Sequence, residues 1–291
     1  MLFKLNMLDQ YYTKDHIAQQ CWDNLSKIMT NLNKNIDDYL FIEPSAGTGS
    51  FYNIIPTSNK IGFDIDPKHD EVIKQDFLSY LGFWDLPRPI ITIGNPPFGK
   101  RGKLAVEFIN HAALFSDIIA FILPKGMNNW RCQHKIDSTF KLIDKLELEP
   151  ESFYLPDTQS YNIKSEFQTW VTGKIKPYKD LRLKREPAII HKDFKLVRYN
   201  NTPETLNVFD YNFNLAVPCQ GWQDYSRRET ESQCCERTKQ WMLFFAQDKK
   251  VLERLNNINY EQLARKNITV IPGFGKPEII AEYNRLYQNI D

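Results

Sequence analysis

Four consecutive β-branched residues, Ile90-Ile91-Thr92-Ile93, run into Gly94 and then into Asn95-Pro96-Pro97-Phe98. β-branched side chains favour extended backbone, and a short apolar run bounded by glycine and prolines reads as a buried strand with a sharp stop. In an open α/β sheet, ligands bind at the carboxyl ends of the strands, and that is where Asn95 to Phe98 fall. Asn95 supplies a side-chain carbonyl oxygen. Pro96 has a carbonyl but no N–H, and the Pro97 ring restricts the backbone before it, so that carbonyl points in a fixed direction. Phe98 adds a flat apolar face. Two fixed acceptors beside an aromatic ring suit a planar group bearing an NH₂, such as a nucleobase amine. A plain turn ending a buried strand would use the same residues, so the residues upstream have to decide.

Upstream, Asp9-Gln10-Tyr11-Tyr12-Thr13 precedes a helical pattern from Lys14 to Leu32, with Ile17, Cys21, Leu25 and Ile28 on one side. Thr13 or Asp15 would cap that helix. A strand over Tyr39 to Ile42 leads into Glu43-Pro44-Ser45-Ala46-Gly47-Thr48-Gly49-Ser50-Phe51. Gly47 and Gly49 allow a tight turn and close approach of backbone to ligand. The dinucleotide fingerprint needs a third glycine where Tyr52 stands, and the P-loop needs a Gly-Lys-Ser/Thr that is absent. The loop is therefore glycine-rich without a phosphate signature. Glu43 at its entrance would repel phosphate and attract a cationic or amine-bearing ligand. A second strand, Lys60 to Asp64, ends in an acid able to accept from ribose hydroxyls, with Asp66 as its competitor. A third, over Val72 to Phe77, carries Asp76 near its end. Acids at three successive strand ends would line one crevice.

A helix over Lys103 to Phe115 follows, then a strand over Asp117 to Leu123 stopped by Pro124-Lys125-Gly126. Two further strands, Leu142 to Leu148 and Phe167 to Val171, flank a loop from Pro156 to Ser165. Strands alternating with helices imply an α/β fold with a doubly wound parallel sheet. The 291 residues, 42% of them hydrophobic, suffice for one sizeable core and a smaller appended region. Composition shifts near Gly173, dividing the chain into residues 1–173 and 174–291. The net charge of +1 does not announce a nucleic-acid partner, but nine basic residues stand against three acids between Lys174 and Arg198. That run is a solvated face or a phosphate-binding one. Gly221-Trp222-Gln223-Asp224-Tyr225-Ser226-Arg227-Arg228 adds groups that could stack on bases or contact phosphate. A helix over Glu236 to Leu255 would bury Trp241, Phe244 and Phe245, and the turn-rich Pro272 to Pro277 precedes a last short helix.

Five cysteines without C-x-x-C spacing or a zinc-type cluster suit a reducing compartment, and no metal is expected. Met1 to Leu8 is too short and too broken by Lys4 and Asn6 for a signal peptide, and no apolar run reaches membrane-spanning length. The expectation is a soluble cytoplasmic protein, not secreted and without a membrane partner. Nothing in the chain sets its oligomeric state.

The ordered set of motifs from residue 9 to residue 173 resembles the adenine-N6 DNA methyltransferases that use S-adenosyl-L-methionine, in the gamma order of motifs. Phe41 to Phe51 resembles the family's cofactor loop, Gly62 to Pro67 its ribose-binding acid motif, and Gln75-Asp76-Phe77 the acid that meets the cofactor adenine. Asn95-Pro96-Pro97-Phe98 is similar to its catalytic tetrapeptide. The resemblance implies a Rossmann-like class I methyltransferase sheet with a smaller C-terminal region for DNA recognition or support. By position, it implies that Tyr12 and Thr13 sit near the methionine end of the cofactor. Glu43, Ala46 and Gly47 would hold its amino acid portion. Asp64 would bind ribose, Ile65 would pack on the adenine, and Asp76 would bind the adenine's amine, with Ser45, Gly49 and Phe77 also among the cofactor-binding residues. Tyr161 falls where the family places a second aromatic against the flipped base, with Phe153 and Tyr154 as rivals. DNA is the partner implied. RNA adenine methylation and protein glutamine methylation are the alternatives, and a restriction nuclease is a possible companion. Pro218-Cys219-Gln220 matches the nucleophile tripeptide of cytosine-C5 methyltransferases, but the nucleophile should follow the fourth strand, where Asn95 to Phe98 stand.

Overall fold

The computed structural model describes residues 11–82, 88–155, 160–161, 163–175, 179–266 and 271–287, with 160 and 161 as backbone only. The chain divides into two units, Met1–Lys184 and Arg185–Asp291. Each hydrophobic core cluster is drawn from a single unit. Residues 179–184 of the basic run thus belong to the first unit: the N–H of Leu181 donates to the carbonyl of Leu142 (2.8 Å).

In the first unit the chain runs β1 (Tyr12–Thr13), α1 (Asp15–Asn31), β2 (Leu40–Glu43), α2 (Ser50–Ile54), β3 (Lys60–Asp64), β4 (Ile73–Lys74) and β5 (Ile90–Gly94). It continues through α3 (Lys103–Ala113), β6 (Ile118–Pro124), α4 (Trp130–Gln133), β7 (Phe140–Glu147), β8 (Phe153–Tyr154), β9 (Ser160–Tyr161) and β10 (Ser165–Thr172). Seven strands form one sheet in the order β4-β3-β2-β5-β6-β10-β7. The strands from β4 to β6 pair in parallel, whereas β10 lies antiparallel between β6 and β7. The sheet is therefore doubly wound, with one reversed strand that the alternation of strands and helices does not predict. β2, β3 and β4 step one way from the centre and β5 and β6 step the other. The crevice at the carboxyl ends of β2 and β5 is the topological switch point.

Period-two alternation along β6 shows how the layers are held. Ile118, Ala120 and Ile122 enter the core shared with Ile17, Cys21, Trp22 and Leu25 of α1. Ile119, Phe121 and Leu123 enter the opposite core, with Ala105, Phe108, Ile109 and Ala112 of α3. Each large apolar side chain so buried contributes about 1.5–3 kcal/mol, and a one-residue slip would exchange the two faces.

Three local readings change. α1 begins after Lys14, which caps it without a side-chain hydrogen bond, because Thr13 is already paired in β1 with Phe153 of β8. The strand expected over Val72 to Phe77 shrinks to two residues, because the Asp76 carboxylate accepts from the N–H of Leu78 and starts a 3₁₀ turn at Phe77. The loop before β10 carries β9, whose backbone pairs with β8.

The second unit is a three-stranded antiparallel sheet, β11 (Lys195–Tyr199), β12 (Leu215–Gln220) and β13 (Gln240–Phe245), in the order β11-β13-β12, followed by α5 (Lys249–Asn256), α6 (Tyr260–Lys266) and α7 (Lys276–Tyr287). The helix expected over Glu236 to Leu255 is thus a strand followed by a shorter helix. Met242 and Phe244 face the core of α5, α6 and α7, while Trp241 and Leu243 face a second core with Val208, Phe209 and Phe213. An apolar run buried on both faces has no period to distinguish strand from helix. Asp248, whose carboxylate accepts from the N–H of Lys250 (2.7 Å), starts α5. Among the described residues, no helix is long and apolar enough to cross a membrane.

Candidate active site

At the switch point the first unit encloses a cavity of about 530 Å³. Its wall includes Tyr12 and Thr13 from β1, Glu43 from the end of β2, Ser45, Ala46 and Gly47 from the following turn, Asp64 and Ile65 from the end of β3, Asp76 and Phe77, and Asn95 and Pro97 after β5. Topology thus brings five strand ends to one place. Four carboxylic acids, Glu43, Asp64, Asp66 and Asp76, stand on the wall with Lys100.

The turn after β2 is held by one side chain. The N–H of Gly47 donates to Oδ2 of Asp64 (2.7 Å), while Oδ1 accepts from the N–H of Asp66 (2.8 Å). Gly47 has a φ of +51°, and a Cβ there would lie 3.0 Å from the Tyr12 ring. Glycine is required on both counts. Gly49, which caps α2, has a φ of +85°, and its missing Cβ would meet the His69 ring at 2.6 Å. It shapes the loop without lining the cavity. Asp66 pairs with Lys68 (2.8 Å) on the surface.

Glu43 is 2% exposed and its Oε2 has no hydrogen-bond partner. Burial pushes its carboxyl well above the usual carboxylate range, partly offset by the backbone N–H groups of Tyr52 and Phe51. Burial also raises the Tyr12 hydroxyl, against the pull of Lys68 and with the help of Asp64 and Asp66, so it stays a neutral donor.

Asn95 is fixed at both ends. The Ser45 hydroxyl donates to its backbone carbonyl (3.0 Å), and its own Nδ2 donates to the carbonyl of Tyr11 (2.9 Å). With the NH₂ committed, Oδ1 is left buried without a partner. β1 is itself secured by pairing with β8 and by the Ser50 hydroxyl donating to the carbonyl of Thr13 (2.8 Å). The orientation of the Asn95 amide therefore depends on the segment that precedes α1.

Pro96 and Phe98 are buried and lie outside the described wall. Phe98 packs in the α1 core, with the Tyr11 ring stacked near it (centroids 6.2 Å, interplanar angle 24°) and Phe153 edge-on at 6.3 Å. Of this stacked pair, Tyr11 is the residue on the cavity wall. Sequence reasoning passed over Tyr11 because its contribution is a backbone carbonyl and a packing face. Leu104 and Phe108, four apart at the start of α3, also line the cavity and carried a readable signal, since such residues share a helix face. The Tyr161 side chain and Gln10 lie outside the described residues; the rival Tyr154 packs tilted against Tyr12, with ring centroids 5.4 Å apart. Cys219 is fully buried in β12, where burial pushes its thiol up to about 12, the setting of a structural rather than a reactive cysteine.

No family model and no curated protein matches the chain. Among solved structures it is similar to a protein from Pyrococcus horikoshii assigned as an RNA methyltransferase, at 16% identity over 57% of this chain and 88% of the other, with a TM-score of 0.43. A second likeness is to the modification subunit of a protein assigned as a type I restriction enzyme from Vibrio vulnificus YJ016, at 16% identity over 67% of this chain and 48% of the other, with a TM-score of 0.39. A third is to magnesium protoporphyrin IX methyltransferase from Synechocystis PCC 6803 with bound S-adenosylmethionine, at 13% identity over 54% and 80%, with a TM-score of 0.36. None of the three exceeds 16% identity, so function has to be read from the side chains around the cavity.

Proposed function

We propose that this chain transfers the methyl group of S-adenosyl-L-methionine to the exocyclic amine of an adenine in DNA, the base being turned out of the duplex to reach the cavity. The observation that carries the reading is the Asn95 amide, clamped through Nδ2 so that a buried, unpartnered Oδ1 remains at the end of a central strand. A buried acceptor without a partner costs about 1–3 kcal/mol, and a ligand N–H is what would repay it.

The cavity suits the cofactor. The Asp64 carboxylate retains acceptor capacity for ribose hydroxyls, and the half-exposed Ile65 side chain offers an apolar face to a ring. Asp76 can accept from a ring amine. The unpartnered Oε2 of Glu43 suits the amino acid end. When bound, the cofactor supplies an electrophilic methyl group.

The chain's own residues do the rest. An adenine amine is a poor nucleophile because its lone pair is delocalised into the ring. Asn95 Oδ1, as acceptor for one of its N–H bonds, favours a pyramidal nitrogen and stabilises the positive charge that develops there. The Tyr11 ring, backed by Phe98, holds the base in position.

Methyl-labelled cofactor offered to duplex DNA, RNA and protein tests this directly. Label should enter DNA at adenine N6, and Asn95→Ala should reduce transfer on the order of a hundredfold or more with cofactor affinity unchanged. Label confined to RNA or to protein glutamine would move the substrate to that class. Near-normal turnover by Asn95→Ala would remove the tetrapeptide from the chemistry.

A further inference from the structure

We infer that the second unit carries a nucleobase-binding cleft, built around Trp222, that captures an unpaired base of the nucleic acid substrate. The cleft has a volume of about 300 Å³ and lies between the end of β12, the start of β13 and Ile271. That volume suits a single base. Trp222 is 71% exposed, whereas Trp22, Trp170 and Trp241 are buried. The backbone beside this exposed indole is hydrogen-bonded on both sides of the cleft. The hydroxyl of Tyr225, a residue 2% exposed, lies between the carbonyls of Gly221 (2.7 Å) and Pro272 (2.9 Å) and shares its one proton between them. The N–H of Gly221 donates to that same Pro272 carbonyl (3.0 Å). The two chain segments bordering the cleft are thereby stapled together directly under Trp222.

The polar groups are committed in a way that leaves a defined pattern. Arg198 donates through Nη2 to Oε1 of Gln220 and to Oε1 of Gln240 (2.8 Å). With both oxygens taken, the NH₂ groups of Gln220 and Gln240 remain as donors. Gln223 is committed the other way: its Nε2 donates to the carbonyl of Gln220, and its Oε1 is buried with no partner. Asn201 likewise spends its Nδ2 on the carbonyl of Thr238 (3.0 Å) and keeps its oxygen. The cleft wall thus carries amide side chains with unspent donors at Gln220 and Gln240 and an unspent acceptor at Asn201, next to an exposed indole. Nucleobases carry exactly those two features in one plane, a π face and an edge of alternating donors and acceptors. Phosphate would need free cations, and the Lys239 ammonium on this wall is already paired with Glu236.

The identification of a base, rather than a sugar ring that could also stack on tryptophan, rests on the reading of the chain as a nucleic-acid methyltransferase. The full-length protein should bind short single-stranded oligo(dA), oligo(dC) and oligo(dT) with quenching of tryptophan fluorescence. Trp222→Ala should weaken that binding by roughly tenfold or more, and Trp222→Phe by less. Because Trp222 is exposed, its replacement should leave the thermal unfolding midpoint unchanged, which separates lost contact from lost fold. Oligonucleotide affinity unchanged in Trp222→Ala would overturn the cleft, as would quenching by maltose or chitin oligosaccharides without quenching by oligonucleotides. Methyl transfer is assayed separately. Loss of oligonucleotide binding in Trp222→Ala, with no transfer to nucleic acid by any preparation, would support the cleft and sink the methyltransferase reading. Transfer to DNA with an unaltered KM in Trp222→Ala would sink the cleft alone.

Discussion

Asp64 illustrates how one side chain shapes this site. Its two oxygens accept from the N–H groups of Gly47 and Asp66, so the carboxylate ties the glycine turn to the end of β3. Hydrogen bonds to a charged acceptor contribute about 1.5–3 kcal/mol each. Asp64→Ala should therefore lower urea-unfolding stability by about 2 kcal/mol or more and also weaken cofactor binding in calorimetric titration. Asp66→Ala removes an exposed pair with Lys68, with both side chains nearly half exposed, and should cost less than about 1 kcal/mol. The reverse order in both measurements would give Asp66 the larger part in the turn and in cofactor binding. The sequence made Asp64 conspicuous because an acid at a strand end after a glycine turn has few other uses. It could not make Tyr11 conspicuous, because a backbone carbonyl facing Asn95 carries no residue-type signature. Nor could it tell that Phe98 would be buried and Tyr11 left at the cavity, since both are aromatic neighbours of the same core.

At the scale of elements, charge runs were the weakest guide. Arg182 belongs to the basic stretch, yet its guanidinium pairs with Asp180 (3.2 Å), also donates to the carbonyls of Asp137 and Ser138, and stands over the Trp170 ring. Arg227 is engaged by Glu229 and Glu236, and Arg228 by the carbonyls of Tyr225, Ser226 and Ile258. These arginines close loops. Lys184 and Arg185, by contrast, are exposed. If DNA follows the basic run, the double variant Lys184→Ala with Arg185→Ala should flatten the salt dependence of DNA affinity by about two units, at roughly 0.9 per phosphate contact. Arg182→Ala should leave that slope alone and lower the thermal midpoint instead. An unaltered slope in the double variant would make the stretch a solvated face. Amphipathic or strongly β-branched elements such as α1, α3, β5 and β6 were legible because their period or composition permits one reading. β13 was not, because Trp241 to Phe245 is buried on both faces and its apolar run has no period.

At the scale of the molecule, the separation of cores has a thermodynamic consequence. The cavity wall is drawn from the first unit, and each unit buries its own apolar clusters. A ligand that binds only the folded state stabilises it by RT ln(1 + [L]/Kd), about 2.7 kcal/mol at a hundredfold excess over Kd. That gain accrues to the cooperative unit that forms the site. Saturating S-adenosyl-L-methionine should therefore slow amide hydrogen exchange in β2, α2, β3 and the 3₁₀ turn at Phe77, and through the Asn95–Tyr11 bond in β1 and the start of α1. Exchange in β11, β12 and β13 should keep its rate. A single-stranded oligodeoxynucleotide should do the opposite in part, adding protection around Trp222 while the β2 turn stays as the cofactor left it. Protection by the cofactor that spread equally through β11 to β13 would mean that the two units open as one. The cavity and the Trp222 cleft would then have to be treated as a single energetic site, despite the separate composition of their cores.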